Sequence, residues 1–310
     1  MEELITYLEQ QQINHFLNCT ITPYVTMGIG GTVPLLVIVC RDDHLKSVLT
    51  QLHTSQIPYI LLGGGSNVIF PDTFTDPRFT VIINRTGQIE KVAADQIKVN
   101  SGVINNKLMA WNIQNSIGGM DFLAGIPGTV GGAAAVNGGA FGQSISSLLT
   151  HAEIFTRDGQ IKTVDTSYFQ FQYRDSIFKY GKESIINVFL KFYPEDSALV
   201  REKVTARQKY RQENHPPINL HSAGCFFKNP IINGQKTSAG KLIEQTGFKG
   251  KTFKTLRVAA AHSNFIINDG NASFADILEL EKRIKQDVDR TQGITLEREV
   301  IYISPSGEKY

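Results

Sequence analysis

The chain has 310 residues, with 31 lysines and arginines against 29 aspartates and glutamates and a formal net charge of +2. So balanced a chain lacks the concentrated positive surface that nucleic-acid or anionic-membrane binding demands, and 41% hydrophobic with 19% charged residues excludes a disordered or fibrous protein. The length is too great for one small core and suits two or three domains. The longest apolar run, residues 33–40, is far short of a bilayer span. The acidic N-terminus lacks the pattern of a signal peptide, so a cytoplasmic location is expected. Cys19, Cys40 and Cys225 stand far apart with no CxxC pair, which excludes a dense disulfide framework and a standard zinc site. No metal is expected, and at least one thiol is open to chemistry.

In chain order, residues 1–12 read as a helix and residues 35–40 as a buried strand, and Asp43 is placed to cap a helix running to about His53. Residues 58–62 form a strand that ends in glycines. Strands follow at 80–83 and 97–100, then a helix at 105–114. Residues 151–156 and 160–164 flank Asp158-Gly159, a hairpin signal, and residues 185–192 are a further strand. The segment from Pro194 to about Gln212 starts acidic and turns basic, as a helix dipole favours, and His215-Pro216-Pro217 cannot continue it. Residues 273–289 form the last helix, with Ile277, Leu280, Ile284 and Val288 at core spacing, and residues 294–303 read as a strand. Helices and strands are mixed without strict alternation, an α+β pattern.

Glycine carries the first chemical signal. Residues 118–142 hold nine of the 27 glycines, Gly118 and Gly119 and then seven in Gly125-Ile126-Pro127-Gly128-Thr129-Val130-Gly131-Gly132-Ala133 and Asn137-Gly138-Gly139-Ala140-Phe141-Gly142. A stretch this poor in side chains is costly to order, so its use is to bring backbone amides close to a large anionic cofactor. Gly63-Gly64-Gly65-Ser66-Asn67 is a strand-end turn able to offer amides and a hydroxyl to phosphate oxygens. A tight surface turn is the lesser reading of this motif taken alone, and it does not stand alone. Thr26-Met27-Gly28-Ile29-Gly30-Gly31 is a third turn of this kind. No GxGxxG or GxxxxGK[ST] motif is present, and Gly250-Lys251-Thr252 has Gln245 where a P-loop needs its first glycine, so it reads as a surface turn.

These turns, together with Tyr173-Arg174-Asp175-Ser176, Ser222-Ala223-Gly224-Cys225-Phe226-Phe227-Lys228-Asn229-Pro230 and Leu296-Glu297-Arg298-Glu299-Val300, resemble the UDP-N-acetylenolpyruvoylglucosamine reductases over nearly the whole chain. Those are flavoenzymes that make UDP-N-acetylmuramate for bacterial peptidoglycan. The glycine turns alone suggest only the wider group of FAD enzymes, while the last three motifs are specific. The resemblance implies an α+β protein with a two-subdomain FAD-binding fold of the PCMH/vanillyl-alcohol-oxidase type and a C-terminal α+β substrate-binding domain. The implied divisions are 1–80 and 81–200 for the FAD-binding subdomains, 201–303 for the substrate-binding domain and 304–310 for a tail. Also implied are FAD as cofactor, NADPH as hydride donor, UDP-N-acetylglucosamine enolpyruvate as substrate, and action as a monomer. FAD contacts are implied for Ile29, Gly30 and Gly31, for Gly63, Gly64, Gly65, Ser66 and Asn67, for Gly125, Ile126, Pro127, Gly128, Thr129, Gly132 and Ala133, and for Asn137 and Gly142. The interval between Ile185 and His215 is too short for the long substrate loop of one branch, which implies the shorter second type.

In the implied reaction NADPH reduces the flavin, which then delivers hydride to the terminal carbon of the enolpyruvyl double bond. Charge develops on the neighbouring carbon and its carboxylate, so the site needs a cation or acid at the carboxylate and a proton donor at the second carbon. The resemblance assigns Arg174 and Glu299 to stabilise the intermediate and Cys225 to protonate it. Better-known members carry serine at this last position. A thiol, with an ordinary pKa of about 8.5, is a far stronger acid than an alcohol. Arg174, Arg211, Lys228 and Asn229 are the implied substrate contacts. His262 fits a family position or a core histidine equally.

Each residue also has a plainer reading. Arg174 pairs with Asp175 at the surface, Glu299 is an edge glutamate sharing a strand face with Glu297 and Ile301, Cys225 is a small buried hydrophobe, and Arg211 is a dipole partner at a helix end. An FAD-dependent oxidase and a non-catalytic nucleotide-sugar binder are the alternatives for the chain as a whole. The oxidase commonly attaches its flavin through histidine or cysteine, neither of which lies in the glycine turns.

Overall fold

Three parallel strands organise the first part of the chain: Thr80–Asn84 lies between Thr32–Val39 and Tyr59–Leu62, with Asn14–Thr20 at the edge beside Thr32–Val39. The computed structural model describes residues 1–310 and divides into two units, each discontinuous in the chain. One comprises Met1–Cys19, Val33–Gly64 and Asp76–Arg211, the other Thr20–Thr32, Gly65–Thr75 and Gln212–Tyr310. In the first unit, helices α1 (Glu2–Gln10) and α2 (Asp42–Thr54) cover the parallel strands. The apolar run in Thr32–Val39 suits a parallel strand, which is covered on both faces. Its Leu35 and Val37 bury with Leu4, Leu8, Leu45, Leu49 and Leu52. Each such leucine contributes about 1.5–3 kcal/mol on full burial.

Asp43 does not cap α2. The N-cap is Arg41, whose Nε donates to Asp43 Oδ1 at 3.0 Å, and both Asp42 and Asp43 fall in the first turn, where a helix dipole favours carboxylates.

A five-stranded antiparallel sheet follows, in the order Ile161–Asp165, Leu149–Phe155, Ser184–Lys191, Gln96–Asn100, Ile89–Ala93. Helices α3 (Asn105–Gln114), α4 (Val130–Ala135), α5 (Ile177–Tyr180) and α6 (Ser197–Asn214) enclose a second core with it, containing Val99, Leu108, Leu123, Val130, Val188, Phe178 and Val204. Helix α6 starts at Ser197, later than its acidic preamble suggests, because Asp196 accepts from the Ala198 and Leu199 amides and stays outside. A polar network ties α2 to this sheet. Lys46 bridges Asp42 at 2.9 Å and Glu153 at 2.8 Å, and the fully buried Asn187 donates to both carboxylates, at 3.1 and 2.6 Å.

The second unit holds a small antiparallel sheet, Thr252–Phe253, Leu256–Val258 and Ile266–Asn268, with helices α7 (Ala239–Gln245) and α8 (Phe274–Gln292). Ser273 and Asp276 form a capping box on α8. Ile277, Leu280, Ile284 and Val288 are each at most 1% exposed, as their spacing predicts, and share a core with Met27, Ile29, Phe226, Phe227 and Tyr302.

The strand expected at 294–303 does not form. Only Ile301–Tyr302 is a strand, parallel to Val68–Ile69, and Arg298 makes an isolated bridge with Phe227. Val300, Ile301, Tyr302 and Ile303 are buried in succession, and Arg298 Nε turns back to the Val300 carbonyl at 3.1 Å, which breaks the alternation. Glu297, Glu299 and Ile301 are accordingly exposed, half-buried and buried, and share no face. Residues 304–310 fold back, with Tyr302 and Tyr310 exchanging backbone hydrogen bonds of 3.0 and 2.9 Å.

Candidate active site

In the first unit, the turn after Tyr59–Leu62 meets the glycine-rich loop backbone to backbone. A Cβ on Gly64 would lie 2.6 Å from the Gly128 Cα, and one on Gly63 would lie 2.3 Å from Thr129 Oγ1. Both positions therefore require glycine. Thr129 caps α4, its hydroxyl accepting from the Gly132 amide at 3.2 Å. The rest of the loop is fixed by main-chain bonds: the Gly128 carbonyl accepts from the Asn105 amide at 3.1 Å, and Val130 donates to Val103 at 2.8 Å. Arg85 Nη1 donates to the Gly63 carbonyl at 2.9 Å.

Helix α6 braces the same loop. Arg211 Nε donates to the Ala124 carbonyl at 3.0 Å, and its Cδ stands 2.8 Å from where a Gly125 Cβ would be. Arg207 reaches Asp121, upstream of the loop, at 3.0 Å, while its guanidinium lies 4.1 Å from the ring centre of Phe141, downstream. Tyr210 meets the same ring edge-on at 5.2 Å. Arg211 thus contacts the segment expected to hold cofactor. The sequence does not mark Phe141 or Arg207 as site residues, because nothing in local spacing distinguishes an arginine that braces a loop from one on a solvated helix face.

Arg174 sits in a left-handed turn, φ +55°, closed by reciprocal backbone bonds of Gln172 and Asp175 at 3.1 and 3.3 Å. Its guanidinium donates to the Asn137 carbonyl at 3.3 Å and to the Gly139 carbonyl. Asn137, itself left-handed and nearly buried, returns a bond from Nδ2 to the Gln172 carbonyl at 2.8 Å. Ser176 Oγ donates to the Ala135 carbonyl at 2.6 Å. The loop expected to hold flavin and the arginine expected to grip substrate are therefore one hydrogen-bonded piece.

In the second unit, Cys225 and Glu299 lie on neighbouring backbone segments. Cys225 bridges Phe265, the Phe226 amide donates to Asn264 O at 2.7 Å, and on the other side the Glu299 amide donates to Phe226 O at 2.9 Å and the Lys228 amide to Glu297 O at 2.8 Å. The buried Asn264 side chain extends this ladder: its Oδ1 accepts from the Phe227 amide at 2.9 Å and its Nδ2 donates to the Phe227 carbonyl at 2.8 Å. Cys225 is half-buried. Lys228 Nζ lies 2.6 Å from Glu297 Oε1, and Asn229 Oδ1 accepts from the Ala239 amide at the start of α7. His262 stacks on His215 and lies edge-on to Phe265, and burial pushes its imidazole below the usual range. The turn containing Ile29, Gly30 and Gly31 belongs to this unit. Thr26 Oγ1 donates to the Ser222 carbonyl at 2.6 Å, and a Cβ on Gly31 would lie 1.8 Å from Asp72 O. Gly65, Ser66 and Asn67 are in the same unit, with the Gly65 and Asn67 carbonyls accepting from the Thr26 and Ile301 amides.

The residues present in the first unit suit a flavin dinucleotide. Backbone meets backbone at Gly63-Gly64 and Gly128, no acidic side chain stands in residues 63–64 or 125–133, and the guanidinium groups of Arg85 and Arg211 lie against the two turns. The family model described as FAD binding domain matches residues 34–165, and that described as UDP-N-acetylenolpyruvoylglucosamine reductase, C-terminal domain, matches residues 216–303. The chain is 35% identical over 277 residues to the UDP-N-acetylenolpyruvoylglucosamine reductase of Chlamydia muridarum, covering 89% of this chain and 90% of the relative. It is 29% identical over 304 residues to that of Bacillus subtilis, covering 97% and 98%. The crystal structure of UDP-N-acetylenolpyruvylglucosamine reductase from Thermus caldophilus superposes with a TM-score of 0.75 at 28% identity, over 94% of this chain and 98% of that one. No helix is long and apolar enough to cross a membrane. Glycine turns, an anchored arginine and a paired cysteine and glutamate segment thus occur on a chain that matches these relatives almost end to end, and it belongs to the UDP-N-acetylenolpyruvoylglucosamine reductase family.

Proposed function

We propose that this protein is an NADPH-dependent enzyme that reduces the enolpyruvyl ether of UDP-N-acetylglucosamine enolpyruvate to UDP-N-acetylmuramate, acting as a cytoplasmic monomer in peptidoglycan synthesis. Residues 1–80 and 81–200 serve FAD and residues 201–303 the substrate, and the chain is of the shorter type. The chemistry that bound FAD supplies is hydride transfer, taken from NADPH and passed to the terminal carbon of the enolpyruvyl double bond. Ile29 to Gly31, Gly63 to Asn67, Gly125 to Ala133, Asn137 and Gly142 hold the cofactor, mainly through the backbone. Arg174 grips the substrate carboxylate, for which a permanently charged, bidentate guanidinium is suited. Glu299 shares in stabilising the charge that develops there, and Cys225 gives its thiol proton to the second carbon. Arg211, Lys228 and Asn229 serve the nucleotide sugar.

The observation that carries this reading is the hydrogen-bonded pairing of the Cys225 segment with the Glu299 segment. It sets two of the three proposed reactive residues on adjacent strands of main chain. The test is anaerobic. Purified protein is yellow, NADPH bleaches it, and the enolpyruvyl sugar restores the colour with formation of the saturated product. Bleached protein that regains colour only when oxygen is admitted refutes the proposal.

A further inference from the structure

Lys179, on α5, is 1% exposed. Lysine is almost never buried so fully without a partner of opposite charge, yet here Nζ meets a carbonyl and an aromatic face. It donates to the Arg174 carbonyl at 3.4 Å and lies 5.0 Å from the centre of the Tyr180 ring. Burying an ammonium without a counter-charge costs several kcal/mol, and an apolar side chain of similar length would avoid that cost. The carbonyl it holds belongs to a residue in the left-handed region at φ +55°, a conformation that costs about 1–3 kcal/mol outside glycine and persists only where the surroundings impose it. The same turn is also tied by Asn137 to the Gln172 carbonyl, by Ser176 to the Ala135 carbonyl, and by the guanidinium to Asn137 and Gly139.

We propose that Lys179 is a positioning residue for the reduction step, its buried ammonium fixing the turn that aims the Arg174 guanidinium and adding positive charge behind it. The ligand it serves is the anionic carboxylate end of the substrate, on which negative charge grows as hydride arrives. This rests on Arg174 being the carboxylate grip proposed above.

The test uses FAD-loaded Lys179→Met, Lys179→Gln, Lys179→Arg and Arg174→Gln proteins. FAD affinity, anaerobic reduction by NADPH, re-oxidation by the enolpyruvyl sugar, and the change in flavin absorption when that sugar binds the oxidised protein are each measured. The expected result is that Lys179→Met and Lys179→Gln keep FAD affinity and NADPH reduction within about twofold, slow re-oxidation on the order of tenfold to a hundredfold, and weaken the substrate-induced spectral change, with Lys179→Arg recovering part of the rate. Re-oxidation at the wild-type rate in Lys179→Met, with Arg174→Gln impaired, overturns the role of Lys179. Wild-type behaviour of Arg174→Gln overturns the reading beneath it. Failure of Lys179→Met to hold FAD, with Lys179→Gln at the wild-type rate, assigns the lysine to the fold alone and also overturns the proposal.

Discussion

Arg174 in one unit and the Cys225 and Glu299 segments in the other are held by opposite means. Cys225 and Glu299 lie on segments joined by backbone bonds on both sides of residues 225–228, and Asn264 adds two more to the same ladder. Arg174 lies in a turn whose outside ties run from side chains to carbonyls, through its own guanidinium, Asn137, Ser176 and Lys179. Main-chain bonds survive most substitutions, whereas side-chain bonds do not. Changes around Arg174 are therefore expected to surface in the chemistry with the fold intact, and changes around Cys225 in the fold when they reach the ladder.

The largest effect expected is from Arg174→Gln, which keeps FAD and slows re-oxidation by the enolpyruvyl sugar on the order of a hundredfold to a thousandfold; equal loss of NADPH reduction would break the comparison. Next is Asn264→Ala, which leaves the buried amide and carbonyl of Phe227 without their partners. Urea unfolding is expected to show roughly 2–4 kcal/mol of lost stability, and a kinetic defect without lost stability would show that the ladder holds without it. Arg207→Met should weaken FAD about tenfold, since the loop loses its tie to Asp121 and to the Phe141 ring together. Phe141→Leu in the same background should add little, as fluorescence titration of FAD can establish.

The smallest effect is at Asp276. A hydrogen bond from Lys254, then those from Ser273, hold its carboxyl down at about 2, from an ordinary 3.8. A depressed carboxyl stabilises the fold at pH values above its unfolded pKa and loses that contribution as pH falls through the folded value. Asp276→Asn is thus expected to cost about 0.5–1 kcal/mol at neutral pH, and the gap to wild type should close toward pH 2.

What the sequence makes legible divides along the same line. Helix α8 is readable because its apolar spacing and its Ser273 cap are local signals, and the glycine turns are readable because glycine at Gly63, Gly64 and Gly128 answers a close approach of backbones. The stretch 294–303 misleads, since Arg298 turns back to the Val300 carbonyl and Val300, Ile301, Tyr302 and Ile303 bury in succession, a pattern that strand alternation does not contain. Lys179 is illegible because nothing in Ile177-Phe178-Lys179-Tyr180 marks a lysine that tertiary packing buries. Nor does local sequence show that residues 20–32 and 65–75 join the unit of Cys225, because that depends on contacts such as Gly31 against Asp72, forty-one positions apart.

The most direct measurement is a single anaerobic turnover of Cys225→Ala beside the wild type. With FAD bound and reduced by NADPH at the normal rate, the variant is predicted to lose most of its re-oxidation by the enolpyruvyl sugar, because the proton donor at the second carbon is gone. Re-oxidation at the wild-type rate, or equal loss of both half-reactions, would contradict the assignment of Cys225 and with it the division of labour between the two units.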